Sequence, residues 1–209
     1  MSTPFDAIAA RYEELWSSTT DGMQQRRQVW RELDQVFEHG QHILDLGCGT
    51  GDDAVHLNAR GVRTTAIDAS EQMAAAARVR GVDAQHLAIE DIGSLIGAFD
   101  GVLSNFGAFN CVADPTRAAI ALAEKLRPGG TFAMCVLSRF YWRESLRYAF
   151  TLDFARATRR WPGRASWRGI DVFYRTTGEW QRAFEPRFTL MKEVTIGGGD
   201  HRLYIWRRL

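Results

Sequence analysis

The chain has 209 residues, of which 45% are hydrophobic and 24% charged, and a formal net charge of +1. That balance is ordinary for a globular chain and excludes a low-complexity, collagenous or polyionic one. No apolar run reaches the roughly 18–20 residues of a membrane span, and Met1-Ser2-Thr3-Pro4-Phe5-Asp6 lacks the basic and apolar regions of a signal peptide, so a cytoplasmic chain without membrane contact is expected.

The first predicted helix covers Pro4 to Trp16, with Phe5, Ile8, Tyr12 and Leu15/Trp16 at helical spacing. A second covers Met23 to Phe37, with Val29, Leu33, Val36 and Phe37 on one side. The pattern then changes to strands. His42 to Leu46 is a short apolar run ending in Gly47-Cys48-Gly49-Thr50-Gly51, and helical spacing resumes to Arg60. Val62 to Ile67 is rich in β-formers, and Ser70 to Arg80 is Ala-rich and helical. Val82 to Ile89 and Phe99 to Ser104 give the third and fourth strands. Pro115 to Leu126 forms a helix with Asp114 as N-cap and proline at the first helical position, and Arg127-Pro128-Gly129-Gly130 stops it. Thr131 to Leu137 is the fifth strand.

Such alternation predicts βαβ units and a parallel sheet covered on both faces. With right-handed crossovers the simplest topology is an α/β doubly wound sheet, whose ligands bind at the carboxyl ends of the strands. Arg139 to Arg175 is rich in Arg and Trp and helical in its first half. Phe188 to Ile196 and His201 to Trp206 read as an antiparallel edge hairpin around Gly197-Gly198-Gly199-Asp200, bringing the sheet to seven strands. The expected layout is one domain over 1–209, with N-terminal cap helices at 1–38, a ligand-binding core at 39–137, a variable lid at 138–187 and edge strands at 188–209.

The three cysteines, Cys48, Cys111 and Cys135, show no metal-ligand spacing and read as reduced thiols, with Cys135 in the core. Charge is uneven. Residues 1–138 hold 11 basic and 18 acidic side chains, whereas 139–209 hold 15 and 7. Either an anionic partner or mutual attraction of the two halves accounts for that split.

Asp45-Leu46-Gly47-Cys48-Gly49-Thr50-Gly51 carries the strongest signal. Its glycines permit positive φ and close ligand approach. An acid two positions before Gly47 would repel a pyrophosphate but pair with an ammonium group. Asp68 ends the second strand 21 residues after Gly47, the spacing of an acid that accepts ribose hydroxyls.

These residues resemble the class I S-adenosylmethionine-dependent methyltransferases over most of 1–137. Asp45, Gly47, Gly49 and Gly51 match the first motif, with Cys48 inside it, and Asp68 matches the acid ending the second strand, with Ala69 next to it. Met73 matches a residue packing near adenosine, and Glu90-Asp91-Ile92 the segment bordering adenine. Leu126-Arg127-Pro128-Gly129-Gly130 resembles the turn before the fifth strand, and Phe5-Asp6-x-x-Ala9-x-x-Tyr12 the N-terminal helix that covers the cofactor. The resemblance implies S-adenosylmethionine as cofactor, S-adenosylhomocysteine as product, and the residues just named, Tyr12 included, as its binding set. One position departs. Ala88 stands where relatives often have an Asp for the adenine amino group, leaving Glu90, Asp91 or the backbone to that task.

Asn105, Phe106, Phe109 and Asn110 follow the fourth strand, where the family places methyl transfer. Asn105 and Phe106 are expected to touch both cofactor and acceptor; Phe109 and Asn110 are further candidates for orienting the acceptor. An aromatic face suits a sulfonium cation. No catalytic base is named, although His201 is conceivable, and no carboxylate cluster suits a catalytic magnesium. The segment 139–175, with nine arginines against three acids and ten aromatics, reads as a lid over a small planar or apolar acceptor. The expected activity is methyl transfer to a small molecule, with no nucleic acid or membrane partner. A nucleic-acid methyltransferase and a non-catalytic cofactor-binding scaffold are the alternatives, while a dehydrogenase is opposed by the GxGxG pattern and Asp45.

Overall fold

The computed structural model describes residues 5, 6, 9, 18–150, 153–167 and 169–209. The helix expected over Pro4–Trp16, and Tyr12 with it, lies outside the described residues except for Phe5, Asp6 and Ala9. Helix α1 runs Thr20–Val36, and Thr19 caps it by accepting a hydrogen bond from the Gly22 amide. Then come β1 (His42–Leu46), α2 (Asp52–Ala59), β2 (Arg63–Asp68), α3 (Glu71–Val79), β3 (Asp83–His86), β4 (Phe99–Ser104), α4 (Pro115–Lys125) and β5 (Leu126–Leu137). Ser70 caps α3 through the Met73 amide, and Asp114 caps α4 with Pro115 in the first turn.

The expected third strand is shortened. It ends at His86, and Ile89–Ser94 is a 3-10 helix that buries Ile89 and Ile92. The fifth strand reaches back to Leu126, which pairs with Phe99. Pairing resumes at Gly101 with Thr131, so residues 127–130 form an irregularity inside the strand, with Gly129 at φ 77°.

The remainder comprises α5 (Trp142–Phe150), α6 (Phe154–Ala157), β6 (Arg164–Trp167), β7 (Ile170–Phe173), α7 (Thr177–Phe184), β8 (Phe188–Ile196) and β9 (His201–Arg208). The first half of the 139–175 segment is helical as expected, while its second half is a separate β6–β7 hairpin. Helix α7 is capped by a reciprocal Thr176–Glu179 box that the apolar spacing alone did not reveal.

The main sheet has seven strands in the order β3-β2-β1-β4-β5-β9-β8. β1 to β5 are parallel, and β9 runs antiparallel to both β5 and β8. One face packs against α1 through Val29, Leu33, Ile43, Leu103, Ala133 and Leu203. The other carries α4 and α7, with Leu122, Trp180 and Phe184 on Val102, Phe132 and Trp206. Thr177–Phe184, inside the expected lid, is therefore core rather than cover. Among the described residues no helix is long and apolar enough to cross a membrane.

Phe184 is fully buried, with the rings of Phe109, Phe132, Trp180, Phe188 and Trp206 centred within 6.1 Å. Phe184→Ala is expected to lower the unfolding free energy by about 3–5 kcal/mol in urea denaturation. Ile96→Ala, at a side chain 98% exposed, is expected to change it by less than about 0.5 kcal/mol.

Candidate functional site

The strand order reverses at β1, with β2 on one side and β4 on the other. The carboxyl ends of these three strands therefore meet at the point where open α/β sheets bind ligands. Gly47, Gly49 and Gly51 there have φ of 72°, 54° and 86°, in the left-handed region. A methyl group on Gly47 would also overlap the Ala108 side chain, so the turn lies directly against the segment after β4. Gly51 opens α2, and Asp52 and Asp53 sit in its first turn.

Asp45 is 1% exposed. Its Oδ2 has no hydrogen-bond partner among the described residues. Burial is the main force pushing its carboxyl well above the usual range; the Asp53 charge adds to it, Arg26 opposes it, and Asp68 adds again. Asp68 stands at the end of β2. Its Oδ2 accepts from the Gly49 amide at 2.9 Å and its Oδ1 from the Ser70 amide at 2.8 Å. Burial raises its pKa, and those two amides hold it down. Each oxygen keeps a second lone pair for a ligand hydroxyl.

Cys48 is buried in the turn, and Met73 packs at 2% exposure beneath α3. Ala69 is exposed and accepts from His86 Nε2 through its carbonyl. Glu90 and Asp91 lie exposed on the 3-10 turn, whereas Ile92 is fully buried in the core. Ala88 precedes that turn in extended conformation. Asp6 reaches the same end of the sheet, where Ser70 Oγ donates to its Oδ1 at 2.6 Å.

The segment after β4 is tied from several sides. Asn105 Nδ2 donates to Asp53 Oδ2 at 3.0 Å, and its Oδ1 accepts from the Phe106 amide. Half-buried Phe106 adopts φ 48° and lies edge-on to His201 at 5.5 Å. Phe109 is fully buried against Phe132, Trp180 and Phe184. Asn110 is fully buried as well. It accepts from the Leu137 amide at 2.8 Å and donates to the Phe173 carbonyl at 2.8 Å. Of the four candidates after β4, Asn105 and Phe106 thus stand beside the glycine turn, while Phe109 packs the core and Asn110 straps β5 to β7.

Sequence reasoning missed Arg26 and Asp53. Arg26, 8% exposed on α1, pairs with Asp53 Oδ2 at 2.9 Å and lies 4.8 Å over the Phe106 ring. Trp30 Nε1 donates to Asp53 Oδ1 at 2.7 Å. The acids opening α2 were visible as partners of a helix N-terminus, but no local pattern marks Arg26 as their counter-ion. A second cluster lies at the turn before β9. Asp200 pairs with Arg160 at 2.8 Å and lies 3.3 Å from His201 Nδ1. Arg160 faces the rings of Tyr141 and Tyr174 at 5.6 and 5.4 Å. Among the described residues no group of three or more His, Cys, Asp or Glu is placed to hold a metal ion.

Residues 44–134 match the family described as Methyltransferase domain. The ubiquinone/menaquinone biosynthesis C-methyltransferase UbiE of Rubrivivax gelatinosus is 35% identical over 147 residues, covering 66% of this chain and 56% of that protein. The tRNA 5-carboxymethoxyuridine methyltransferase of Escherichia coli K12 is 30% identical over 142 residues, covering 62% and 54%. The chain thus spans little more than half the length of these relatives. The N-methyltransferase NodS of Bradyrhizobium japonicum, solved with S-adenosyl-L-homocysteine, has a TM-score of 0.70 at 15% identity over 98% of this chain and 96% of that one.

Burial lowers the His201 pKa from the ordinary 6.5 to about 4, against the pull of Asp200. Between those values the unfolded chain binds a proton that the folded chain does not, so stability falls as pH falls through the window, by on the order of 3 kcal/mol. The raised carboxyls of Asp45 and Asp68 act in the opposite direction, so the test is the difference: between about pH 7 and pH 4.5 the wild-type protein is expected to fare worse on acidification than His201→Gln in denaturation experiments.

Proposed function

We propose that the chain, whose residues 44–134 match the family described as Methyltransferase domain, is an S-adenosylmethionine-dependent methyltransferase that transfers a methyl group to a small-molecule acceptor in the cytoplasm. The observation that carries this reading is Asp45, a buried carboxylate with one unpartnered oxygen behind the glycine turn. An isolated charge in that position is unfavourable without a ligand cation, and the ammonium of a methionine moiety supplies one.

In this reading Asp45 and the Gly47–Gly51 turn hold the methionine end, with Cys48 in the turn. Asp68 and Ala69 hold the ribose, while Met73 and the Glu90-Asp91-Ile92 turn border the adenine. Asn105, fixed by Asp53, and Phe106 stand beside the transferring group, and Tyr12 belongs to the covering N-terminal segment. The bound cofactor supplies a methyl group already activated on a sulfonium. The protein then has to orient the acceptor in line and exclude water. Residues 139–174 form the cover. Phe140, Trp142, Phe150, Trp161 and Trp167 are exposed on it, and Phe5 of the N-terminal segment lies 5.5 Å from Trp167. Three free cysteines fit a reducing compartment.

The tRNA relative favours a second reading, in which the acceptor is a nucleoside in RNA. Steeply salt-dependent RNA binding would support it.

Calorimetric titration with S-adenosylhomocysteine is expected to give micromolar affinity, about −8 kcal/mol, with NADH silent. Asp68→Ala is expected to weaken binding at least about tenfold. Asp45→Asn is expected to weaken it comparably while raising the melting temperature of the ligand-free protein, because it removes a carboxyl whose ionisation burial opposes. Absence of binding by the wild-type protein sinks the reading.

A further inference from the structure

Beside the carboxyl end of β5 lies a recess of about 150 Å³ lined by Leu137, Arg139, Arg175, Glu193, Arg202 and Tyr204, among others. A methyl group on Gly107 would stand 3.7 Å from Leu137 Cδ1, so the recess borders the segment after β4. Its charges are unevenly matched. Arg139 pairs with Glu179 at 3.1 Å and Arg202 with Glu193 at 3.1 Å. Arg175 has no ion pair within the described residues. Its Nη2 donates to the carbonyls of Val112 and Ala113, and its Nη1 is buried without a hydrogen-bond partner. The guanidinium lies 4.9 Å from the Phe173 ring and 5.0 Å from the Trp180 ring, which fixes its plane. Desolvation lowers its pKa, with Glu179 and Asp114 opposing only at a distance.

We propose that this recess is a carboxylate subsite, in which Arg175 holds the acid group of the methyl acceptor. The inference deepens the methyltransferase reading and rests on it for the word acceptor. A planar guanidinium with no ion pair among the described residues suits a carboxylate. One unmatched positive charge calls for one negative charge. Glu193, which also lines the recess, disfavours a phosphate dianion, because a second negative charge would share the recess with a carboxylate. The volume also sets the role. With about 30 Å³ per water in the liquid, the recess takes an acid group and a few carbons, so the rest of the acceptor extends outward toward the exposed aromatics of residues 139–174.

The probe is benzoate, with benzamide as its neutral isostere, titrated calorimetrically into the protein saturated with S-adenosylhomocysteine and into the free protein. The S-adenosylhomocysteine titration, read separately, tests the methyltransferase reading. The benzoate arm on free protein tests the recess whether or not that cofactor binds. Benzoate is expected to bind with a dissociation constant on the order of 1 mM, and benzamide at least about tenfold more weakly. Arg175→Lys is expected to weaken benzoate at least about tenfold, because Lys lacks the fork. Arg202→Gln exposes Glu193 and weakens it severalfold. Glu193→Gln removes the facing charge and tightens it severalfold, the opposite sign to a loss of structure. Benzamide binding as well as benzoate, no benzoate binding up to about 20 mM, or unchanged affinity in the folded Glu193→Gln protein would overturn the proposal. Melting temperatures establish that each variant is folded.

Discussion

A carboxylate is held almost out of reach of water at Asp45, and the surrounding residues have to accommodate it. A lone buried charge is destabilising by several kcal/mol unless something pairs with it. The chain provides a buried cation close by, Arg26, but commits its short contact to Asp53, at 2.9 Å. Asp53 also accepts from Trp30 and Asn105, so its oxygens are satisfied within the protein. Asp45 keeps Oδ2 unpartnered. Two neighbouring acids thus differ: one is locked into the scaffold, and the other keeps an oxygen without a partner among the described residues.

The same lock positions the segment after β4. Asn105 is held by Asp53, Asn110 by the β5 and β7 backbone, and Phe109 by three aromatic rings. Between these anchors stands Phe106, at a positive φ that a bulky residue adopts only when its surroundings impose it. Arg26 lies over that ring and His201 meets its edge. One aromatic therefore joins α1 and the edge-strand turn. Such preorganisation suits a reaction in which placement supplies much of the rate.

The glycine turn, the acid ending β2 and the alternation of strands and helices were legible because each is written in adjacent residues. So was the edge hairpin, from β-rich runs flanking Gly197–Gly199. What stayed hidden depends on contacts far apart in the chain. Asn105 and Asn110 look alike beside β4, yet one reaches Asp53 across 52 positions and the other Phe173 across 63. Phe106 and Phe109 look alike too, but a 3-10 turn at Ala108–Cys111 sends Phe109 into the core. The β6–β7 hairpin was masked by the density of arginine and tryptophan, which obscures strand alternation. α7 was passed over because its eight residues lie within a segment read as a lid.

The uneven charge of the two halves has two explanations. Mutual attraction predicts ion pairs crossing from the basic half to the acidic one. Lys192 with Glu32 is such a pair. Arg139, Arg156, Arg160, Arg164 and Arg202 instead pair with Glu179, Asp153, Asp200, Asp171 and Glu193, all within residues 139–209. That half contains 15 basic side chains and only 7 acidic ones, so its own acids cannot neutralise it. The surplus also has a direction. Arg139, Arg175 and Arg202 converge beside the end of β5, close to the segment that follows β4. The acidic half holds the glycine turn with Asp45 and Asp68, and the basic half holds most of the recess beside β5. Under the proposed function, the asymmetry places a site for a cation beside a site for an anion.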